Sequence, residues 1–229
     1  MIFGGLQKFS LIDYPGKTSA VIFTVGCNFR CPYCHNPELV SLGEETNILE
    51  EQEILDFLEN RKNKLDAVVI TGGEPTLHKD LLEFMRKLKN MGFLVKLDSN
   101  GTCPDLFKKA LEEKLVDYIA MDIKAPLDKY EKVTILPIDI EDIKKSIDII
   151  KNSEIDYEFR TTIVESMLSK KDILEIADTI SGARRYYLQK FVPTKVNDVA
   201  YLKETTYSDE EFEELRAKIA PKFDICGVR

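Results

Sequence analysis

Short apolar or alternating runs recur along the chain, separated by stretches whose apolar residues fall three and four apart. The runs predict strands at about 20–25, 67–71, 94–99, 118–123, 157–163 and 186–191. Helical stripes lie between them in Ile54, Leu55 and Leu58, in Leu81, Leu82, Met85 and Leu88, and in Ile140, Ile143, Ile147 and Ile150. Ser169 and Asp172, ahead of Ile173, Leu174, Ile176 and Ala177, have the spacing of a capping box with Asp in place of Glu. Each strand is followed by a helix candidate. Six βα units imply a parallel sheet, either open and doubly wound or wrapped toward a barrel.

Polar residues choose between these. In the run from Tyr118 to Lys124 the period of two puts Tyr118, Ala120, Asp122 and Lys124 on one face and Ile119, Met121 and Ile123 on the other. Glu158, Arg160 and Thr162 likewise share a face, opposite Phe159 and Ile163. Such polar faces are costly in a dry core and suit a solvent-filled barrel mouth. The expected fold is an α/β incomplete TIM-like barrel of six βα units. A short N-terminal hairpin or extension precedes it, with Pro15 and Gly16 at the centre of a type II turn. No composition shift marks a second domain, so 1–229 reads as one unit: an extension over 1–18, a partial barrel over 19–191, and a helix and tail over 192–229. The segment 126–137 breaks the rhythm after the fourth strand, a candidate partner-contacting loop.

Composition narrows the function. The chain has 229 residues, 44% hydrophobic and 31% charged, with a formal net charge of −8. That balance argues against general nucleic-acid binding, which needs a basic footprint. No apolar run approaches the ~18 residues of a membrane span, and the N-terminus has no signal-peptide pattern. A cytoplasmic protein is expected. Of its five cysteines three crowd into eight positions, which in a reducing compartment points to metal or catalysis before disulfides.

Those three are Cys27, Cys31 and Cys34, in C-x3-C-x2-C spacing within Gly26-Cys-Asn-Phe-Arg-Cys-Pro-Tyr-Cys-His-Asn36. Three thiolates on one short loop can wrap a cubic iron–sulfur cluster, and the lack of a nearby fourth cysteine leaves one iron open to a ligand. Structural zinc would need a fourth donor. His35 is the local candidate but is awkwardly placed beside Cys34. Thiol oxidoreductase chemistry is disfavoured, since it leaves Cys27 unexplained and no thioredoxin pattern follows.

Thr71-Gly-Gly-Glu-Pro75 follows the second predicted strand. Its Gly72 and Gly73 permit close backbone approach and Glu74 could bind an ammonium group, although the same residues make a glycine turn leading into a helix. The next two strands end in Leu97-Asp-Ser-Asn-Gly101 and Met121-Asp-Ile-Lys124, where parallel barrels place their chemistry. Capping and turn formation are the bland alternatives there. His78 suits the start of a helix, Cys103 and Cys226 read as structural, and Gln189-Lys-Phe-Val-Pro193 either closes over a ligand or packs.

Taken together, these motifs resemble the radical S-adenosylmethionine (SAM) enzymes. The stretch from Gly5-Leu-Gln-Lys8 to Asn36-Pro-Glu-Leu39 is similar to the glycyl-radical-enzyme activases. The lead-in Ser10-Leu-Ile-Asp-Tyr-Pro-Gly-Lys17 resembles the activating proteins of anaerobic ribonucleoside-triphosphate reductases. The resemblance covers most of residues 5–191 and implies a 4Fe-4S cluster on Cys27, Cys31 and Cys34, with SAM on the open iron. It implies that Gly72, Gly73 and Glu74 hold the methionyl amine. Asp98, Ser99 and Asp122 can hold a monovalent cation near the SAM carboxylate, although Ser99 stands where some relatives have threonine. Lys124 and Arg160 would contact SAM, and Tyr33 and Asn36 would lie beside the cluster and ligand, Tyr33 being equally a packing residue.

The implied reaction is reductive cleavage of SAM to methionine and a 5′-deoxyadenosyl radical, which takes hydrogen from a glycine Cα of the reductase. Reduced flavodoxin or ferredoxin is the implied electron donor. A pyruvate formate-lyase-type activase or another small radical SAM enzyme is the alternative among enzymes. A zinc-binding interaction module is the alternative outside them.

Overall fold

The computed structural model describes residues 1–43 and 47–229. All six expected strands form, as β2 (Ser19–Thr24), β3 (Ala67–Gly72), β4 (Leu94–Ser99), β5 (Tyr118–Asp122), β6 (Asp156–Ile163) and β7 (Arg185–Lys190). They pair in chain order, each parallel to the next. Helices α1 (Glu51–Glu59), α2 (Leu81–Asn90), α3 (Pro104–Glu112), α5 (Ile140–Lys151), α6 (Lys170–Thr179) and α7 (Asp209–Ile219) alternate with them, and a short α4 (Tyr130–Thr134) lies within the 126–137 segment. This is the incomplete TIM-like barrel: the sheet remains open, with edge strands that do not pair with each other.

Two further strands extend the expected six. β1 (Phe3–Ser10) pairs antiparallel with β2, and β8 (Ile225–Val228) pairs parallel with β7. The tail therefore ends in a strand as well as a helix. β1 escapes a period-two reading because only its end residues, Phe3 and Ser10, are buried. The turn between β1 and β2 is as expected, with Gly16 at φ +70° and Lys17 N–H donating to Tyr14 C=O at 3.2 Å.

The strand faces divide as the period of two requires. Ile119, Met121, Phe159 and Ile163 join the outer core against the helices, with Ile54, Leu58, Met85, Leu88, Ile143 and Ile147. Each such burial contributes roughly 1.5–3 kcal/mol. The Ser169–Asp172 capping box starts α6. Inside the barrel Tyr14 packs with Val21, Ala67, Val69, Tyr118 and Ala120, its ring 5.5 Å from that of Tyr118. This plug fills the lower interior and leaves the upper interior, at the strand C-terminal ends, for a ligand.

The polar inner face divides: Asp122, Lys124, Arg160 and Thr162 line an open mouth as expected, whereas two charged residues lie in the closed interior. Glu158 and Lys96 are 1% and 2% exposed. They persist in a dry interior because they are paired: Glu158 accepts from Tyr118 Oη at 2.8 Å and from both terminal guanidinium nitrogens of Arg229 at 2.9 and 3.1 Å. Among the described residues no helix is long and apolar enough to cross a membrane.

Candidate functional site

The loop after β2 carries the three clustered cysteines and is fixed from several sides. Gly26 and Cys27 N–H groups donate to Leu39 and Val40 C=O at 2.8 and 3.0 Å. Arg30 N–H donates to Thr134 C=O at the end of α4 at 2.9 Å, and Asp198 N–H donates to Pro32 C=O at 2.9 Å. Gly73 must be glycine, since a Cβ there would sit 2.2 Å from Gly26 C=O. The end of β3 and the start of the cysteine loop can therefore touch.

A cavity of about 320 Å³ opens at the strand C-terminal ends, and all thirteen site residues singled out in the sequence line it: Cys27, Tyr33, Asn36, Gly72, Glu74, Asp98 and Lys124 together with Cys31, Cys34, Gly73, Ser99, Asp122 and Arg160. Cys103 and Cys226 do not line it. Gln189 and Lys190, from the segment expected either to close over a ligand or to pack, and Thr162 of the polar inner face line it too, as do Phe29 and Asn100, whose lining role the sequence did not reveal.

Glu74 is 1% exposed. Its Oε1 accepts from Thr76 N–H (3.1 Å), Thr76 Oγ1 (2.5 Å) and Ser99 Oγ (2.8 Å), and its Oε2 from Asn100 N–H (2.6 Å). Burial raises its pKa against those donors. Oε2 keeps room for one further donor, so the carboxylate is held in place with one acceptor position to offer.

Charged groups from three neighbouring strands meet beside it. Asp98 Oδ1 accepts from Lys96 Nζ at 2.5 Å and Oδ2 from Arg160 at 3.1 Å. Asp122 Oδ1 accepts from Arg160 Nε at 2.9 Å and Oδ2 from Lys124 Nζ at 3.1 Å. Arg160 thus pairs across strands with two aspartates and not with Glu158, its neighbour two positions back. Burial works against ionisation of Asp122, but Arg160 and Lys124 outweigh it and hold the carboxyl at about 2. Burial likewise opposes the charge on Lys124, and Asp122 outweighs it, so the ammonium is strongly favoured.

The donors suit an iron–sulfur cluster. Three thiols of one loop face one cavity, and Phe29 N–H already points at Cys27 Sγ at 3.4 Å. Burial pushes the Cys27 thiol up to about 12 and also raises Cys31. Thiolates there need the positive charge that a bound metal provides. Tyr33 Oη is buried with no hydrogen-bond partner among the described residues, a polar atom left for a ligand. His35, the candidate fourth zinc donor, is engaged elsewhere: its ring stacks on Phe191 at 5.6 Å and Nε2 lies 3.0 Å from Val192 C=O. The monovalent cation fits poorly, because every oxygen of Asp98 and Asp122 already accepts from a cationic side chain.

The chain matches the radical SAM superfamily pattern over residues 21–185. It belongs to the radical SAM superfamily. Within that superfamily it groups with the glycyl-radical-enzyme activating enzymes. It is 41% identical over 227 residues to a Methanocaldococcus jannaschii protein, MJ1227, whose provisional name is glycyl-radical enzyme activating enzyme, covering 96% of this chain and 91% of that one. It is also 33% identical over 129 residues to the pyruvate formate-lyase-activating enzyme of Staphylococcus aureus, covering 52% and 51%. Among solved structures, Streptococcus suis SuiB bound to S-adenosylmethionine shares the fold at a TM-score of 0.68 and 14% identity, over 90% of this chain and 49% of SuiB. This radical SAM chain thus spans about half of SuiB.

Proposed function

We propose that this chain is a radical SAM activating enzyme that installs a glycyl radical on an anaerobic ribonucleoside-triphosphate reductase. The observation that carries the reading is the convergence of the three-thiol loop, the Gly72-Gly73-Glu74 turn and the charged ends of β4, β5 and β6 on one cavity. Cys27, Cys31 and Cys34 would hold the 4Fe-4S cluster. Glu74 would accept from the methionyl ammonium through Oε2, with Gly72 and Gly73 offering backbone at close range. Lys124 and Arg160, balanced by Asp98 and Asp122, would face the carboxylate, with Ser99 fixing Glu74. Tyr33 and Asn36 would border the adenosyl side. When bound, the cluster and SAM supply a carbon radical able to take hydrogen from a glycine Cα, which no side chain shields.

What the chain itself contributes is orientation, charge balance and exclusion of water. The Tyr14 plug closes the barrel from below, so the partner's glycine would enter from the mouth. There the 126–137 segment borders the cysteine loop through Thr134 and leaves Ile135 exposed. Reduced flavodoxin or ferredoxin would supply the electron. The similarity to the S. aureus activating enzyme favours, as second reading, a pyruvate formate-lyase-type partner.

Hydrogen transfer tests the proposal. Reconstituted protein, SAM and reductant are mixed anaerobically with reductase carrying Cα-deuterated glycine. The proposal expects deuterium in the 5′-deoxyadenosine formed. Unlabelled product with the reductase but labelled product with a deuterated lyase would shift the reading to the lyase, and unlabelled product with both would reject it.

A further inference from the structure

We propose that the Lys96 ammonium is a built-in cation, taking the place of the monovalent metal ion that the activase resemblance implies beside Asp98 and Asp122. Lys96 lies on β4 two residues before Asp98, so both project from the inner face. Its side chain is 3% exposed. An ammonium at that depth is costly unless paired. Here it is paired with Asp98 Oδ1 at 2.5 Å and lies 5.7 Å from the centre of the Tyr118 ring. Its register partners on β3 and β5 are Val69 and Tyr118, both members of the apolar cluster around Tyr14, so an apolar residue would fill this position at no electrostatic cost. What a lysine adds at this position is charge.

The charge count gives that addition a purpose. Lys96, Lys124 and Arg160 face Asp98 and Asp122, leaving one positive charge in surplus. Sodium or potassium would have to approach three fixed cations and share carboxylate oxygens that already accept from them, although such hard ions bind through available oxygens. The surplus instead suits an anionic group entering from the cavity, such as the carboxylate of an amino-acid-like ligand. A fixed ammonium is set in place when the barrel folds, so ligand binding does not depend on capturing an ion.

The proposal takes its ligand from the SAM-site reading, and its first test needs no SAM. Thermal melting of the protein is compared in potassium chloride and in tetramethylammonium chloride at equal ionic strength. The wild type is expected to melt alike in both, whereas Lys96→Thr, which frees Asp98 Oδ1, is expected to gain ~2–4 °C in potassium. SAM titration of anaerobically reconstituted protein is the second readout. Wild-type affinity should agree within about twofold between the salts, and Lys96→Thr should bind about tenfold more tightly in potassium. Lys96→Arg, which keeps the charge, should stay indifferent to the salt. A wild type that gains melting temperature or tenfold SAM affinity from potassium would overturn the proposal, whatever becomes of the variants. So would a Lys96→Thr protein that matches the wild type in both salts. Failure of the SAM reading would appear separately, as no SAM binding alongside the expected melting pattern.

Discussion

The side-chain amide of Asn100 donates to Asn28 Oδ1 at 2.8 Å, joining the end of β4 to the loop that carries the three thiols. Asn28 Nδ2 donates in turn to Thr102 Oγ1 at 2.9 Å, so the two segments are latched from both sides of one amide. The same Asn100 donates its backbone N–H to Glu74. One residue thereby holds the cysteine loop and the Glu74 carboxylate in a common frame.

Loosening that latch should affect cluster retention before it affects folding. Asn28→Ala removes both side-chain bonds at about 0.5–1.5 kcal/mol each, so it should speed cluster loss to a chelator by roughly 5–150-fold. Iron release followed by absorbance checks this, and unchanged release would show that the latch does not restrain the loop.

Replacement of Cys27, Cys31 or Cys34 by Ala should abolish the brown chromophore and SAM cleavage. Cys103→Ala and Cys226→Ala should keep full iron and sulfide, since neither lines the cavity. Iron and sulfide assays after anaerobic reconstitution decide it, and a full cluster in Cys31→Ala would refute the ligand assignment.

Glu74→Gln replaces a carboxylate that holds four hydrogen bonds and offers a fifth. A lost charge-assisted bond costs roughly 1.5–3 kcal/mol, so SAM affinity should fall by about 10–100-fold with iron content unchanged. Equilibrium titration of the reconstituted variant gives the answer directly.

The sequence made much of this site legible, for a physical reason. Period-two alternation assigns Asp122, Lys124 and Arg160 to the inner face regardless of the final strand geometry, and parallel barrels bring strand ends together. Partners distant in the chain were not legible. Arg229 reaches Glu158 from 71 positions away, and β8, which carries it there, is only four residues long with Ile225 exposed. Lys96 was missed because a strand lysine ordinarily faces water, and only the assembled barrel shows that its inner face is dry. Tyr14 likewise reads as part of a turn until the barrel closes around it.

Low pH should weaken the fold through Asp122. Its carboxyl is held at about 2, below an unfolded value of about 3.9. The stabilisation is therefore fully present above the unfolded value and is lost as pH falls through the folded one. Urea unfolding at a series of pH values should show stability declining between about pH 4 and 2, with a shallower decline in Asp122→Asn. An equal slope in the variant would assign the acid sensitivity to other carboxylates.

The central claim, that this chain places a radical on a protein glycine, is tested most directly by electron paramagnetic resonance. Reduced enzyme and SAM are mixed anaerobically with the anaerobic ribonucleotide reductase, and the spectrum of the reductase is recorded. The account predicts a glycine-centred doublet on the reductase that disappears when its C-terminal glycine is changed to alanine. Active SAM cleavage with no radical on the reductase would contradict it.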